Sequence, residues 1–159
     1  MNRTRFLLLA TAIASIYFVL TYAFMPISFG PLQVRVSEAL TVLPVFTPAA
    51  VPGLFVGCLI SNLLMTTIGP IDVVLGPFAT LTAAVLTWTL RKNRPLAPLP
   101  PVLVNAVVVG LELHWVLGVP LLETMAYVGL GQFAACYLLG YPLMLLISRY
   151  EDTLFNKRP

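Results

Sequence analysis

The chain has 159 residues, of which 59% are hydrophobic and only 9% are charged. A soluble domain is about 25% charged, so this sequence lacks the side chains needed to cover a water-facing surface. The net charge of +3 comes from short clusters of bases between apolar runs. That pattern is typical of a membrane protein and does not indicate nucleic-acid binding. The sequence therefore predicts an all-α integral membrane protein.

Proline, glycine and charged residues divide the chain into six predicted transmembrane helices, which form a single domain covering 1–159. The first apolar run holds about 19 residues between Arg5 and Met25, enough to cross a ~30 Å hydrocarbon core. We therefore expect an uncleaved helix there and not a secretory signal peptide. A loop is predicted at 25–33, a polar linker at 91–101 and a kink at Pro142. The predicted helices cover 5–25, 34–48, 51–68, 71–90, 102–116 and 122–148.

The distribution of bases predicts the orientation in the cell membrane. Six crossings place both termini and the 91–98 segment on one side, and Phe29 and the 117–121 segment on the other. Eight of the nine bases then lie on the first side: Arg3, Arg5, Arg91, Lys92, Arg94, Arg149, Lys157 and Arg158. The positive-inside rule makes that side cytoplasmic. Arg35, the ninth base, lies at the outer end of the second helix and calls for its own explanation.

Polar side chains from several helices fall at one level, the outer half of the bundle. Charged groups within a bilayer are costly, so each is a candidate functional residue. Their convergence predicts one pocket that opens to the outside. The candidate substrate-binding residues are Glu38, Glu112, Arg35, Asn62, Asp72, Trp115, Gln132, Asn105 and Phe29.

Simpler interpretations of these residues remain open on sequence alone. Arg35 and Glu38, three residues apart, fit a surface ion pair on one helix, and Asp72 fits an N-terminal cap. The amides of Asn62, Asn105 and Gln132 fit interhelical hydrogen bonding, and Trp115 fits an interfacial aromatic belt. His114 is the single histidine, for which an interfacial position is also expected.

The predicted pocket is net acidic, because three carboxylates face one arginine. Carboxylates bind paired N–H donors well, and aromatic side chains stack on flat rings. A planar, donor-rich or cationic small molecule fits this chemistry, whereas a phosphate does not. Cys58 and Cys136 are isolated in apolar runs, so we expect no disulfide, metal site or cofactor.

The sequence predicts a binding subunit that depends on partners. It has no phosphate-binding loop and no nucleophile or metal motif, so we do not expect an enzyme. Six helices without a repeat are few for a self-sufficient carrier, which commonly has duplicated halves. Ala10 and Ala14 place small residues on one face of the first helix, which favours close approach of another helix. Packing within the same bundle is the alternative for these two alanines.

The residues also resemble a known family. Ala10-x-x-x-Ala14 resembles the motif by which substrate-binding (S) components of energy-coupling factor (ECF) transporters pack against the transmembrane T component. The segment Pro26-Ile-Ser-Phe-Gly-Pro-Leu-Gln-Val-Arg-Val-Ser-Glu-Ala-Leu-Thr-Val-Leu-Pro44 resembles the signature of the QueT family, S components assigned to queuosine precursors. Asn62 and Gly69-Pro-Ile-Asp72 are consistent with that resemblance.

The resemblance implies six helices, an outward-facing pocket capped by the loop between helices 1 and 2, and two cytoplasmic ATPases that act through the T component. It also implies a 7-deazaguanine ligand such as preQ1, preQ0 or queuine. The main rival is a small stand-alone carrier that couples transport to protons through Glu112 or Glu38. A membrane scaffold without a ligand is a second rival.

Overall fold

The computed structural model describes residues 2–29, 33–151 and 155. The described chain is helical and contains no strand. Seven α-helices are separated by 3₁₀ and π segments: α1 Arg3–Ala23, α2 Met25–Ser28, a 3₁₀ segment Val36–Val45, α3 Ala50–Met65, α4 Pro70–Thr89, a 3₁₀ turn Arg94–Leu96, α5 Leu99–Leu117, α6 Leu121–Phe133, a π segment Ala134–Gly140 and α7 Tyr141–Ser148.

Four helical stretches are long and apolar enough to cross a membrane: Arg3–Ala23, Pro70–Thr89, Arg94–Leu117 and Leu121–Ser148. Many large apolar side chains point outwards, among them Leu64 and Leu122, which are 70% and 80% exposed. Such a surface matches lipid and not water. The chain is therefore a multi-pass membrane protein. The predicted count of six crossings is not confirmed, because Val36–Val45 and Ala50–Met65 are shorter apolar helices.

Neighbours along the chain pack side by side from α3 to α6, and α1 packs on α3. The 3₁₀ segment Val36–Val45 occupies the centre and contacts α1, α3, α4, the π segment and α7. Its residues 37–44 are all buried. The segment predicted as helix 34–48 is thus helical, but of the narrower 3₁₀ type. Pro44 lies in the last turn of this segment, where it supplies no backbone N–H donor.

The structure differs from the prediction near two groups of prolines. We predicted that the fifth helix begins at Val102, after an extended linker, but α5 begins at Leu99. Pro100 and Pro101 lie in its first turn, where backbone N–H groups have no intrahelical partner and proline is tolerated. Before Pro142, where we predicted a kink, the helix takes the wider π form over Ala134–Gly140.

Helices α1 and α3 approach each other so closely that α3 carries glycine at the contact. A Cβ at Gly53 would lie 2.7 Å from the Ala10 carbonyl oxygen, and a Cβ at Gly57 would lie 2.8 Å from the Tyr17 Cβ. Only glycine fits such contacts without a shift of the backbone. The backbone carbonyl groups of Ala10 and Ala14 thus lie against α3.

Candidate functional site

The bundle buries most of the polar side chains that the sequence singled out. Phe29 is partly buried, and Trp115 lies on the surface with 75% of its area exposed. The other seven candidates are buried: Arg35, Glu38, Asn62, Asp72, Asn105, Glu112 and Gln132. Arg35, Asn62, Asp72 and Glu112 form an upper tier near the end of the bundle where α3 turns into α4. Glu38 and Asn105 form a lower tier beneath it.

An ion pair between Arg35 and Asp72 is the centre of the upper tier. The Arg35 Nη2 atom lies 3.5 Å from Asp72 Oδ2, and both side chains are almost fully buried. Thr66 donates to the same carboxylate oxygen at 2.6 Å, and the Asn62 amide donates to Asp72 Oδ1 at 3.0 Å. Asp72 makes no helix-capping hydrogen bond, so its carboxylate serves the neighbouring side chains. Arg35 pairs with Asp72 and not with Glu38, which excludes the simple ion pair within one helix.

A glycine in α4 leaves space for the Asn62 amide beside the Asp72 carboxylate. Gly76 follows Asp72 by one helical turn, and a Cβ there would collide with the Asn62 amide nitrogen and lie 2.9 Å from Asp72 Oδ1. The amide is therefore held between Gly76 and the carboxylate. Before the 3₁₀ segment, Gln33 is buried with φ of 47°, a conformation that residues other than glycine seldom adopt. Strain of this kind is found where the surrounding structure fixes the backbone, often beside a site.

The lower tier is built around the Glu38 carboxylate. Tyr17 donates to its Oε1 at 2.5 Å, and Asn105 donates to its Oε2 at 3.4 Å. Asn105 lies 12 residues before the end of α5, so this tier is about 18 Å below that end, at 1.5 Å per residue. Both Glu38 oxygens have donors from other helices. Glu38 therefore ties α1 and α5 to the central 3₁₀ segment.

Glu112 differs from every other carboxylate in the cluster. It is buried, yet neither of its oxygens has a hydrogen-bond partner among the described residues. It lies five residues before the end of α5, about 8 Å below that end, on a helix that packs against α4, which carries Asp72. Buried polar groups in proteins are almost always paired, so an unpaired carboxylate calls for a functional explanation.

A cavity of about 480 Å³ lies at the same end of the bundle, a size suited to a small molecule. Phe29 connects it to the buried charges, because its ring lines the cavity and lies 4.9 Å from the Arg35 guanidinium carbon. Gln33 and Leu113, which follows Glu112, also line the cavity. Val119 and Pro120, which follow α5, also line the cavity, and the Val119 carbonyl oxygen lies 2.6 Å from His114 Nδ1.

The remaining candidates are less directly placed. Gln132 contacts the Cys136 sulfur at 3.8 Å, one turn along its own helix, so the structure does not bring it to the upper tier. The exposure of Trp115 favours the aromatic-belt interpretation. Cys58 and Cys136 are free and buried. Within the described ranges, no three His, Cys, Asp or Glu side chains come together as metal ligands would.

Sequence reasoning missed Tyr17, Thr66, Gln33 and Gly76. Thr66 could have been found from its spacing, since it follows Asn62 by four residues and therefore lies on the same helix face. Tyr17 gave a weaker signal, a phenol in the middle of an apolar helix. Gln33 and Gly76 depend on backbone conformation and on cross-helix distance, which no local pattern encodes.

Comparison with known proteins identifies the family. The sequence profile of the QueT transporter family matches residues 7–149. The chain belongs to the QueT transporter family. A related protein, "Queuosine precursor transporter QueT" of Lactococcus lactis subsp. cremoris (strain MG1363), is 28% identical over 154 residues, which cover 87% of this chain and 90% of the relative. No solved structure matches. A QueT family member is a transporter and not an enzyme.

In this QueT family transporter, we expect Asp72→Asn to destabilise the fold by about 3–5 kcal/mol, because it leaves the buried Arg35 charge unpaired. The substitution keeps the side-chain shape, so packing is preserved. The matched control is Glu151→Gln, which removes a pair of similar length, 3.3 Å to Arg94, whose partners are 34% and 47% exposed. That change should cost at most about 1 kcal/mol. Unfolding in detergent measures both variants, and equal stability losses would contradict the central role of the buried pair.

Proposed function

We propose that this protein is the membrane-embedded S component of an ECF-type transporter that takes up a queuosine precursor with a 7-deazaguanine ring. The family and the name of the Lactococcus lactis relative support the substrate class. The observation that carries the proposal is the buried Glu112 carboxylate, which has no donor to either oxygen within the described part of the chain. A planar ring with adjacent N–H groups supplies the donors that such a carboxylate requires.

The proposed binding site is the upper tier together with Phe29. Glu112, Arg35 and Asn62 contact the ligand, Asp72 holds Arg35 and Asn62 in place, and Phe29 stacks on the ring. Glu38, with Asn105, supports the site from below, since both of its oxygens are already hydrogen bonded. Gln132 and Trp115 lie outside this set, and a direct ligand contact for either remains only the expectation from sequence.

The proposed architecture is a single six-helix transmembrane domain over 1–159. The 3₁₀ segment Val36–Val45 and α3 supply the two crossings that fall short of full length. As a 3₁₀ helix, ten residues extend about 20 Å, and the sixteen residues of α3 extend about 24 Å. Their flanking segments and neighbouring helices complete the passage across the bilayer. Burial of residues 37–44 supports this, because irregular backbone at membrane depth must be covered by protein.

The proposed partners are a transmembrane T component and two cytoplasmic ATPases. Supporting this, the outer surface of α1 and α3 carries an apolar groove of about 440 Å³. Ala10 and Ala14 form its floor, while Thr11, Ser15 and Ile60 belong to its rim. Small residues along a helix permit close approach of a second helix in the membrane. The site and the groove lie on different parts of the molecule.

The proposed function predicts that the detergent-solubilised protein binds a 7-deazaguanine and that uptake requires ATP and the partners. Mass spectrometry of the co-purified compound and titration calorimetry measure binding. Transport is measured in vesicles with and without the T component and ATPases. Inorganic phosphate serves as the negative control ligand, because the site is acidic. Uptake driven by a pH gradient in vesicles that contain this chain alone would instead support the proton-coupled carrier.

We propose that both termini face the cytoplasm, as the bases indicate. The test compares Asn93→Cys with Leu117→Cys, two exposed positions at opposite ends of the bundle. An impermeant thiol reagent added to intact cells should label position 117 and leave position 93 unlabelled. Both native cysteines are buried, which keeps the background low. Labelling at 93 without labelling at 117 would reverse the orientation.

If the α1–α3 groove receives the T component, a bulky side chain at its rim should block assembly. Thr11→Trp fills the groove at an exposed position, so folding and ligand binding should persist while pull-down of the T component and ATP-driven uptake are lost. Ala12→Trp, also exposed on α1 but outside the groove, is the matched control. Ala14 is unsuitable for this test because it is buried against Gly57. Normal assembly of the Thr11 variant would place the partner interface elsewhere.

A further inference from the structure

Four buried polar side-chain atoms have no hydrogen-bond partner among the described residues: Glu112 Oε1, Glu112 Oε2, Asn62 Oδ1 and Arg35 Nε. Three are acceptors and one is a donor. Other polar atoms of the same residues are paired, as with Arg35 Nη2 and the Asn62 amide nitrogen. The unpaired atoms therefore define a pattern that a ligand has to complement.

These atoms belong to one neighbourhood. Asn62 and Arg35 both bind the Asp72 carboxylate, one at each oxygen. Helices α4 and α5 pack side by side, and Thr87 near the end of α4 donates to the Ala97 carbonyl oxygen just before α5. The start of α4 and the end of α5 therefore lie at the same end of the bundle, which places Asp72 and Glu112 at a similar level, each within about 8 Å of that end. Asp72 uses both of its oxygens on protein donors. Because both Asp72 oxygens are already hydrogen bonded, ligand recognition falls to Arg35, Asn62 and Glu112, which carry the unpaired atoms.

We propose that Glu112 and Arg35 together read the edge of a guanine-type ring, and that this edge sets the specificity of the site. The inference rests on the proposed function and refines it. A guanine-type edge presents an exocyclic amine, a ring N–H and a carbonyl in a row. The amine and the ring N–H donate to the two Glu112 oxygens, and the carbonyl accepts from Arg35 Nε. The second hydrogen of the amine is available for Asn62 Oδ1.

A purely cationic ligand complements this pattern less well. An ammonium group would pair with Glu112, but it offers no acceptor for Arg35 Nε. An adenine-type edge fails for another reason, because its ring nitrogen is an acceptor and would face the Glu112 carboxylate without a hydrogen between them. The guanine-type edge alone among these three matches both the carboxylate and the guanidinium. Recognition should then be independent of the substituent on the five-membered ring.

Ligand pairs test the inference on the unmodified protein by titration calorimetry. 7-Deazahypoxanthine lacks only the exocyclic amine of 7-deazaguanine, so it should bind about 30-fold or more weakly, the loss typical of an unsatisfied buried charged group. The 7-cyano and 7-aminomethyl derivatives of 7-deazaguanine keep the full edge. Their affinities should differ from one another much less than those of the first pair.

Glu112→Gln then assigns the effect to this side chain. A carboxamide replaces one acceptor oxygen by an NH₂ donor group, which would face one of the two ligand N–H donors without an acceptor between them. The preference for 7-deazaguanine over 7-deazahypoxanthine should collapse, and both the cyano and the aminomethyl derivative should be weakened by similar factors. The matched control is Glu151→Gln, an acidic residue in the exposed pair with Arg94, which should leave all affinities unchanged.

The outcomes separate the two claims. If the unmodified protein binds no 7-deazaguanine, the proposed function fails and the inference fails with it. If it binds them but accepts 7-deazahypoxanthine equally well, the edge-reading inference alone is wrong. If Glu112→Gln weakens only the aminomethyl derivative, Glu112 pairs with an ammonium group and the inference is again wrong. If the variant does not fold, the ligand pairs on the unmodified protein still decide the question.

Discussion

Burying a guanidinium inside an apolar bundle is very unfavourable unless an opposite charge accompanies it. Asp72 supplies that charge to Arg35 at 3.5 Å, and much of the surrounding structure follows from the pair. The Asp72 carboxylate must point from the start of α4 into the bundle, where Thr66 and Asn62 complete its hydrogen bonds. Gly76 then has to be a glycine, since a Cβ would occupy the space of the Asn62 amide.

The ion pair also sets Glu112 apart from the other buried carboxylates. Arg35 is compensated by Asp72, whereas Glu112 is a buried carboxyl group whose two oxygens have no hydrogen-bond partner among the described residues. Both Asp72 oxygens thus have hydrogen-bond donors, whereas neither Glu112 oxygen has one among the described residues. This is the arrangement expected of a binding site awaiting a donor-rich ligand. Glu38 illustrates the contrast, because Tyr17 and Asn105 already satisfy its oxygens and make it part of the framework.

Much of this could be predicted from the sequence, and the successes and failures have physical causes. Hydropathy and proline placed α1, α3 and α4 to within a few residues, since apolar length and helix breakers determine those elements. The sequence predicted that the polar groups converge, because charges in lipid are rare and cluster on interior faces. It placed Glu38 at the same level as Arg35, however, whereas the structure places Glu38 in the lower tier with Asn105. Hydropathy could not show that 36–45 is 3₁₀, because 3₁₀ and α-helices bury similar residues and differ only in hydrogen-bond spacing. Which groups pair depends on contacts between distant residues, so the sequence suggested Arg35 as the partner of Glu38, whereas Tyr17 and Asn105 bind Glu38 and Asp72 pairs with Arg35.

The irregular helices explain how the centre of the bundle accommodates both tiers. The 3₁₀ segment and the π segment pack against each other, and Gly140 lies so close that a Cβ there would be 3.0 Å from the Ala39 carbonyl oxygen. Thr41 and Cys136 both reach the Glu38 carbonyl oxygen, at 2.6 and 3.6 Å, which gives this backbone group side-chain partners. Lipid offers no such partners, so irregular backbone is stable in a membrane only where protein surrounds it. Central placement of the 3₁₀ segment is therefore what allows Arg35 at its start and Glu38 in its first turn to lie inside the bundle, one in each tier.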